Sequence, residues 1–460
     1  MKQIFIKDLL KICDAKLVYG KDDDILENFS KDTRTIEKGD IYVGIKGTNF
    51  DGNLFYEEAF NKGAKTCIIE KDSIDINNIK IHSDKNLIVV NNSIQMLQEL
   101  AKYKRSLYNI PVIAVTGSVG KTSTRDMIAS VLQQNFKVLK TEGNYNNEIG
   151  LPLTILKLKD HNAMVLEMGM SNLGEIKKLS DISKPSIGII TNIGTAHIGN
   201  LKSRENILKA KLEITSGFNK DSILIINNDN DLLHKNMDKL KEKYNLITVG
   251  INNNSDYMAL NIEDDAFSSK YDVNKNKVEV MVGGEAFIYN SLVAYAVGNI
   301  LNISIDKIVK GIKEFKMTEN RLEKIISKSG INIINDTYNA SLDSIKNALN
   351  LLNRTNFNKK IFLFGDILEL GSYTEEIHRE VAKEIIKNNI NKVILVGNNV
   401  KYTKDELLKS NYKDENIYLF NSENETYEFL KEKLKKEDII LLKGSHAMNL
   451  INIVNKIKEY

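Results

Sequence analysis

Cysteine is nearly missing from this 460-residue chain, which holds only Cys13 and Cys67. Two thiols make neither a disulfide framework nor a zinc pattern, which fits a reducing cytoplasm. Proline occurs three times, so the joints between units must be marked by polar clusters rather than by proline. No apolar run approaches the roughly 18 residues of a membrane span. The N-terminus "MKQIFIKDLLKICDAK" is broken by charge every few residues and lacks the apolar core of a signal peptide. Net charge is scarce too, at +3 from 64 basic and 61 acidic residues. Lysines are spread along the chain instead of clustered, so no nucleic-acid partner is expected. What remains is a cytoplasmic globular protein, long enough for about three domains with cores of their own.

The organisation is that of an α/β protein. Residues 1–86 mix short strand-like runs ("DIYVGIKG", "AKTCIIE") with one helical pattern, "LFYEEAFNKGA". Residues 87–318 hold a strand, a glycine loop and a helix from Pro111, then apolar runs at 163–169, 186–194, 222–229 and 246–250. Unbroken apolar strands between amphipathic helices predict a parallel sheet covered on both faces. Residues 256–289 alternate more and carry Gly283-Gly284, predicting a small antiparallel excursion, followed by a helix opened by Asn290. Over 319–460 the alternation restarts with "INIIND", "KIFLFGD", "KVILVG", "IYLF" and "DIILLKGS". That pattern predicts a second doubly wound, Rossmann-like unit.

"VTGSVGKTST" at 115–124 carries chemistry. Gly120, Lys121 and Thr122 match the end of the mononucleotide pattern GxxxxGK[ST]. Val115 stands where the first glycine belongs, and Gly117 supplies the flexible backbone instead. Successive amides from Gly117 and Ser118 to the helix start at Ser123 can face phosphates. Lys121 reaches the outer ones and Thr122 can bind Mg²⁺. A plain glycine turn is the bland alternative, but strand, loop and helix all fall where the motif needs them.

Glu167 ends the strand "AMVLEMG", and "NIGTAH" runs from the next strand end to His197. Carboxyl ends of neighbouring parallel strands converge on one crevice. A carboxylate there suits Mg²⁺, which takes oxygen ligands and substrate phosphates. Alone, Glu167 is a strand-end carboxylate and His197 a loop histidine; beside the loop both become candidate metal and catalytic residues.

"TGSVGKTS" resembles the TG[ST]xGKT[ST] loop of the Mur ligases and folylpolyglutamate synthetases, which depart from the general pattern at the same position. The resemblance implies ATP as the nucleotide and a carboxylate as the acceptor of its γ-phosphate. "TNIGTAHIGNLKSRENILKAKLEI" is similar to a family segment in which many Mur ligases carry a carbamylated lysine, and Lys211 falls at that lysine. Carbamylation would turn an ammonium into an anionic oxygen ligand beside a metal. "TEGNYNNEIGLPLTIL" resembles the segment whose asparagines lie near the γ-phosphate and the acceptor carboxylate, which makes Asn144, Asn146 and Asn147 candidate positioners.

Three further segments narrow the family. "KDTRTIEKGDIYVGIKGTNFDGNLFYEEAFNKGA" (31–64) is similar to a uridine-nucleotide domain, with Asp32, Arg34, Gly47 and Asp51 matching and Thr33 in place of serine. "INDTYNASLDSIKNAL" (334–349) and "FGDILELGSYTEEIHREVA" (364–382) resemble the subfamily that adds the terminal dipeptide to muramoyl peptides. In that subfamily the first of these lines the nucleotide, implying roles for Asp336 and Asn339. Asn290 and Arg321 match nucleotide-contact positions, although "IYNSLVA" and "TENRLE" depart from the usual surroundings. His446 replaces an arginine of "xKGSRxxxMExVV".

The resemblance therefore implies three domains: an N-terminal α/β cap that binds a UDP-linked sugar peptide, a central ATPase domain and a C-terminal Rossmann-like domain. It implies ATP and Mg²⁺, UDP-N-acetylmuramoyl-tripeptide and D-Ala-D-Ala as small-molecule partners, and a monomer. The implied reaction passes the γ-phosphoryl group to the tripeptide's terminal carboxylate, and the dipeptide amine then attacks the acyl phosphate. A Mur-type ligase with another acceptor is the alternative within enzymes. A phosphate-loop NTPase acting as a switch is the alternative outside ligases, separated by whether phosphate release needs an acceptor.

Overall fold

In the computed structural model, which describes residues 2–75, 80 and 82–459, four sheets follow one another along the chain. The first has five strands in the order Ala15–Tyr19, Asn86–Val90, Thr66–Glu70, Ile41–Val43, Phe29–Ser30. All neighbours pair in parallel except Ala15–Tyr19 with Asn86–Val90. The expected boundary at residue 86 thus moves, because "NLIVV" is the second strand of this sheet. Its five residues are all buried, so the pattern gives no outward face to assign it. Its pairing with Ala15–Tyr19 on one side and Thr66–Glu70 on the other settles the sheet to which it belongs.

The central sheet has seven strands, all parallel, in the order Tyr257–Met258, Asn245–Gly250, Ile223–Asn227, Ile187–Ile190, Val112–Thr116, Ala163–Glu167, Val138–Lys140. After Val112–Thr116 the chain builds one side of the sheet, then returns to build the other from Ile187–Ile190 onward. The direction of winding reverses beside the strand that feeds the glycine loop, and such a switch point opens a crevice at the strands' carboxyl ends.

The expected antiparallel excursion is a three-stranded sheet, Leu260–Asp264, Ser269–Val273 and Asn276–Val280. The next helix is Glu285–Ile300, so Asn290 lies in its second turn and does not open it. Gly284, with φ of +106°, turns the chain into the helix, and the apolar "AFI" continues the buried face toward the start of the helix. Ile305–Lys313 follows, and residues 314–322 cross to the fourth sheet.

That sheet has six strands: Glu323–Ile326, Asn332–Asp336, Asp438–Lys443, Lys359–Gly365, Lys392–Val396, Ile417–Phe420. Only Glu323–Ile326 runs antiparallel to its neighbour. Asp336 and Lys443 are register partners at the carboxyl end. The sheet's carboxyl end faces that of the central sheet across a cavity of about 620 Å³.

Candidate active site

Val115 is fully buried in the strand Val112–Thr116, which explains why a glycine is missing there: the strand still runs through that position. The loop is Gly117–Gly120, and the helix Lys121–Leu132 starts directly after it. Gly120 takes φ of +85°, a conformation that glycine adopts without a β-carbon penalty. A β-carbon on Gly117 would stand 1.8 Å from Thr191 Oγ1, so close packing against the neighbouring strand end requires glycine there.

The loop is moulded by the segment 191–194. Asn192 Oδ1 accepts from the backbone N–H groups of Ser118 (3.0 Å) and Val119 (2.9 Å). Thr191 Oγ1 donates to the Val119 carbonyl at 2.6 Å, and the Gly194 N–H donates to Ser118 Oγ at 2.9 Å. Lys121 Nζ donates to the Gly117 carbonyl at 2.9 Å. Burial depresses its pKa, with Glu167 opposing and Arg321 reinforcing the shift.

Thr122 and Glu167 meet as the strand-end argument requires. Thr122 Oγ1 donates to Glu167 Oε2 at 2.9 Å, and Asn146 Nδ2 donates to Oε1 at 2.8 Å. All three come from different elements, and the Thr122 and Glu167 side chains are buried. Asn147 Oδ1 caps the buried helix Gly150–Leu156 by accepting from Ile149 and Gly150. Asn146 and Asn147 line the cavity, whereas Asn144 does not. His197 lines the same cavity. Its Nδ1 lies 3.3 Å from Glu369 Oε2 in a geometry that makes no hydrogen bond. Burial, then the Lys121 and Lys211 cations, push its pKa down to about 4, so the ring is neutral at neutral pH. Lys211 is fully buried. Burial and then Lys121 hold its pKa well below the usual lysine range.

The opposite wall belongs to the C-terminal unit. Arg321, Asp336 and Asn339 line it, with Asn290 facing them from the central unit. Arg321 stacks on Tyr338, 4.1 Å from the ring centroid, and its Nε is buried without a hydrogen-bond partner. Tyr338 also packs against His446 at 5.7 Å. Asp336 is ion-paired with Lys443, whose ammonium also donates to the Asn339 carbonyl at 2.9 Å. Thr124 Oγ1 donates to Asn290 Oδ1 at 2.8 Å, tying that asparagine to the helix of the phosphate loop.

The five N-terminal candidates stand apart from the cavity. Asp32 and Arg34 form an exposed pair at 2.6 Å that lowers the Asp32 pKa to about 2. Thr33 donates to Glu58 at 3.0 Å, Asp51 accepts from Asn53 and Ser73, and the Gly47 N–H donates to the Phe50 carbonyl. Nothing in the motifs marks Asn192, Arg125, Asp126, Glu369 or Lys443 individually. The strand-end rule that marks Glu167 would have marked Asn192, which follows Ile187–Ile190 by two residues.

Three family models match in sequence: the Mur ligase family catalytic domain over residues 27–105, the Mur ligase middle domain over 115–298 and the Mur ligase glutamate ligase domain over 320–446. A Bacillus subtilis UDP-N-acetylmuramoyl-tripeptide–D-alanyl-D-alanine ligase is 36% identical, covering 95% of this chain and 94% of its own. The chain belongs to the Mur ligase family. A Mur ligase of the same description from Buchnera aphidicola (strain Bp) is 34% identical over 95% of this chain and 93% of its own. Among solved Mur ligases, MurF from Acinetobacter baumannii superposes with a TM-score of 0.88 at 25% identity, covering all of both chains. MurF from Thermotoga maritima, solved with ADP, gives 0.79 at 27% identity over 94% of this chain and 97% of its own. These Mur ligase neighbours share the three-domain α/β architecture expected from the sequence.

Proposed function

We propose that this Mur ligase joins D-alanyl-D-alanine to the terminal carboxylate of UDP-N-acetylmuramoyl-tripeptide at the expense of ATP. One observation carries the reading. A single cavity brings the phosphate loop, Glu167 and His197 opposite Arg321, Asp336 and Asn339, in a chain that matches dipeptide-adding relatives over nearly its whole length.

Phosphoryl transfer to a carboxylate brings two anions together, so cations and N–H donors must carry the step. Lys121 at the helix start and Arg321 on the facing wall supply positive charge from both sides. Asn146 and Asn147 orient the acceptor carboxylate. Thr122 Oγ1 and Glu167 Oε2, buried and 2.9 Å apart, are hard oxygen donors that fit Mg²⁺, with the remaining ligands coming from nucleotide phosphates and water. The neutral His197 ring, with its free Nδ1, adds a donor beside them. A bound Mg²⁺ would neutralise charge on the transferring phosphate. Burial and then the Lys121 cation push Lys211 toward the uncharged amine, the form that adds carbon dioxide and releases a proton to become a carbamate. That chemistry supports the modification expected from the family segment.

The acyl phosphate would be lost to water unless the walls close around it. Asp336 and Asn339 face the nucleotide, while Asp32, Thr33, Arg34, Gly47 and Asp51 receive the uridine nucleotide on the N-terminal unit. Both cysteines are unpaired, which favours the cytoplasm. No helix among the described residues is long and apolar enough to cross a membrane.

The test is ATP consumption with UDP-muramoyl-tripeptide, with and without D-Ala-D-Ala, with products identified by mass. Phosphate release that ignores the acceptor, or a product lacking the dipeptide, would overturn the assignment.

A further inference from the structure

Behind the cavity wall lies a buried charge network that the reaction described above does not use. Arg125, one turn past Lys121, is 2% exposed. Its Nη1 lies 3.3 Å from Glu167 Oε2 and 3.4 Å from the Gly143 carbonyl. The rest of the guanidinium is clamped by Asp126: Nε donates to Oδ1 at 3.0 Å, and Nη2 donates to Oδ1 and Oδ2 at 2.8 Å each. Asp126 in turn accepts from Lys140 Nζ at 2.8 Å and from Thr318 Oγ1. Thr318 belongs to the crossing 314–322 between the central and C-terminal units.

The charges explain why both residues are needed. A bare guanidinium beside Glu167 would compete with any cation for the same oxygen, and in a buried setting that competition is strong. Bidentate pairing with Asp126 neutralises the guanidinium while leaving one N–H to fix the carboxylate's orientation. The pairing of carboxylate, guanidinium and carboxylate does for Glu167 what a carboxylate does for a metal-bound histidine. Its far end is fastened to the segment that must bend when the C-terminal unit moves.

We infer that Arg125 and Asp126 are positioning residues that set the cation affinity of Glu167 and couple it, through Thr318, to the crossing between the two units. The inference rests on the reading of Glu167 as a metal ligand.

The test is Mn²⁺ binding to the full-length protein in the presence of ADP, followed by calorimetry, alongside thermal melts of each variant. Glu167→Gln should lose Mn²⁺ affinity. Asp126→Asn should weaken it about tenfold, Arg125→Lys should retain part of it by keeping one cationic donor, and Thr318→Val should weaken it a few-fold with an unchanged melting temperature. The Thr318→Val and Asp126→Asn effects should combine less than additively. If Glu167→Gln binds Mn²⁺ as the unaltered protein does, the reading of Glu167 fails and the inference falls with it. If Glu167→Gln loses affinity while Asp126→Asn and Thr318→Val keep it, the positioning role alone is overturned. Should Asp126→Asn not fold, Thr318→Val decides by the same criterion.

Discussion

Gly199 of the central unit and Glu369 of the C-terminal unit touch with no room for a methyl group. A β-carbon on Gly199 would stand 2.5 Å from the Glu369 backbone carbonyl oxygen. Nearby, the Tyr373 hydroxyl donates to the Lys202 carbonyl at 2.9 Å. Gly199→Ala should therefore hold the two walls of the cavity apart. A displacement of about 1 Å at the reacting groups is enough to cost roughly a hundredfold in rate. Small-angle scattering should show a larger radius of gyration; an unchanged radius with full activity would refute this.

Lys121→Ala removes the one cation that reaches the phosphates from the helix start. Ligation should fall by about a hundredfold or more, measured as dipeptide-dependent phosphate release. Substantial retained activity would remove the loop from the mechanism.

Asn192→Ala removes the Oδ1 acceptor shared by the Ser118 and Val119 N–H groups, leaving Ser118 only the residue-192 carbonyl at 3.1 Å. The Val119 bond is lost outright and the Ser118 bond weakened, at about 1 kcal/mol for a full bond, so the KM for ATP should rise by roughly fivefold or more. Unchanged nucleotide affinity would show that the loop keeps its shape without Asn192.

Lys211→Ala should be inactive and partly rescued by added short-chain carboxylic acids, which supply an anionic oxygen donor in the vacated space. A variant that binds ATP normally yet shows no rescue would count against carbamylation.

His378 gives the chain a pH dependence of stability unrelated to catalysis. Its Nε2 accepts from the Ile367 N–H at 3.3 Å while Nδ1 donates to the Thr374 carbonyl at 2.7 Å. The buried ring is therefore neutral, and burial lowers its pKa from the usual 6.5. A histidine with a lowered folded pKa is less readily protonated in the folded state than in the unfolded chain. Its stability contribution is complete above about pH 6.5 and is lost as pH falls toward the folded value. The melting temperature of His378→Asn should fall less than that of the unaltered protein between about pH 7 and about pH 5. Equal losses would mean other groups govern the acid limb.

Much of the site could be read along the chain because its chemistry is local. Gly120, Lys121 and Thr122 are consecutive, and Glu167 ends an apolar strand whose neighbours follow from the β/α alternation. Asn192 lies within reach of the same strand-end rule, but the Arg125–Asp126–Thr318 network is illegible for the opposite reason. Its meaning lies in contacts between residues far apart in sequence, and a polar residue on a helix reads as solvated until its partners are known. The strand Glu323–Ile326 was missed because its burial alternates between half-buried and exposed, the weak pattern of a sheet edge. The early start of the helix Glu285–Ile300 was hidden by a glycine pair that reads as a turn.

Each wall of the cavity is by itself only a shelf, open to solvent on one side. A shelf can bind a nucleotide or a peptide, but it cannot keep a mixed anhydride dry. Nine residues, 314–322, join the shelves, and the close approach of Gly199 to Glu369 holds them edge to edge, so in the proposed reaction the choice between hydrolysis and amide formation depends on how the shelves meet. Selection on this enzyme would then act as strongly on that short joint as on the lysine at the phosphate.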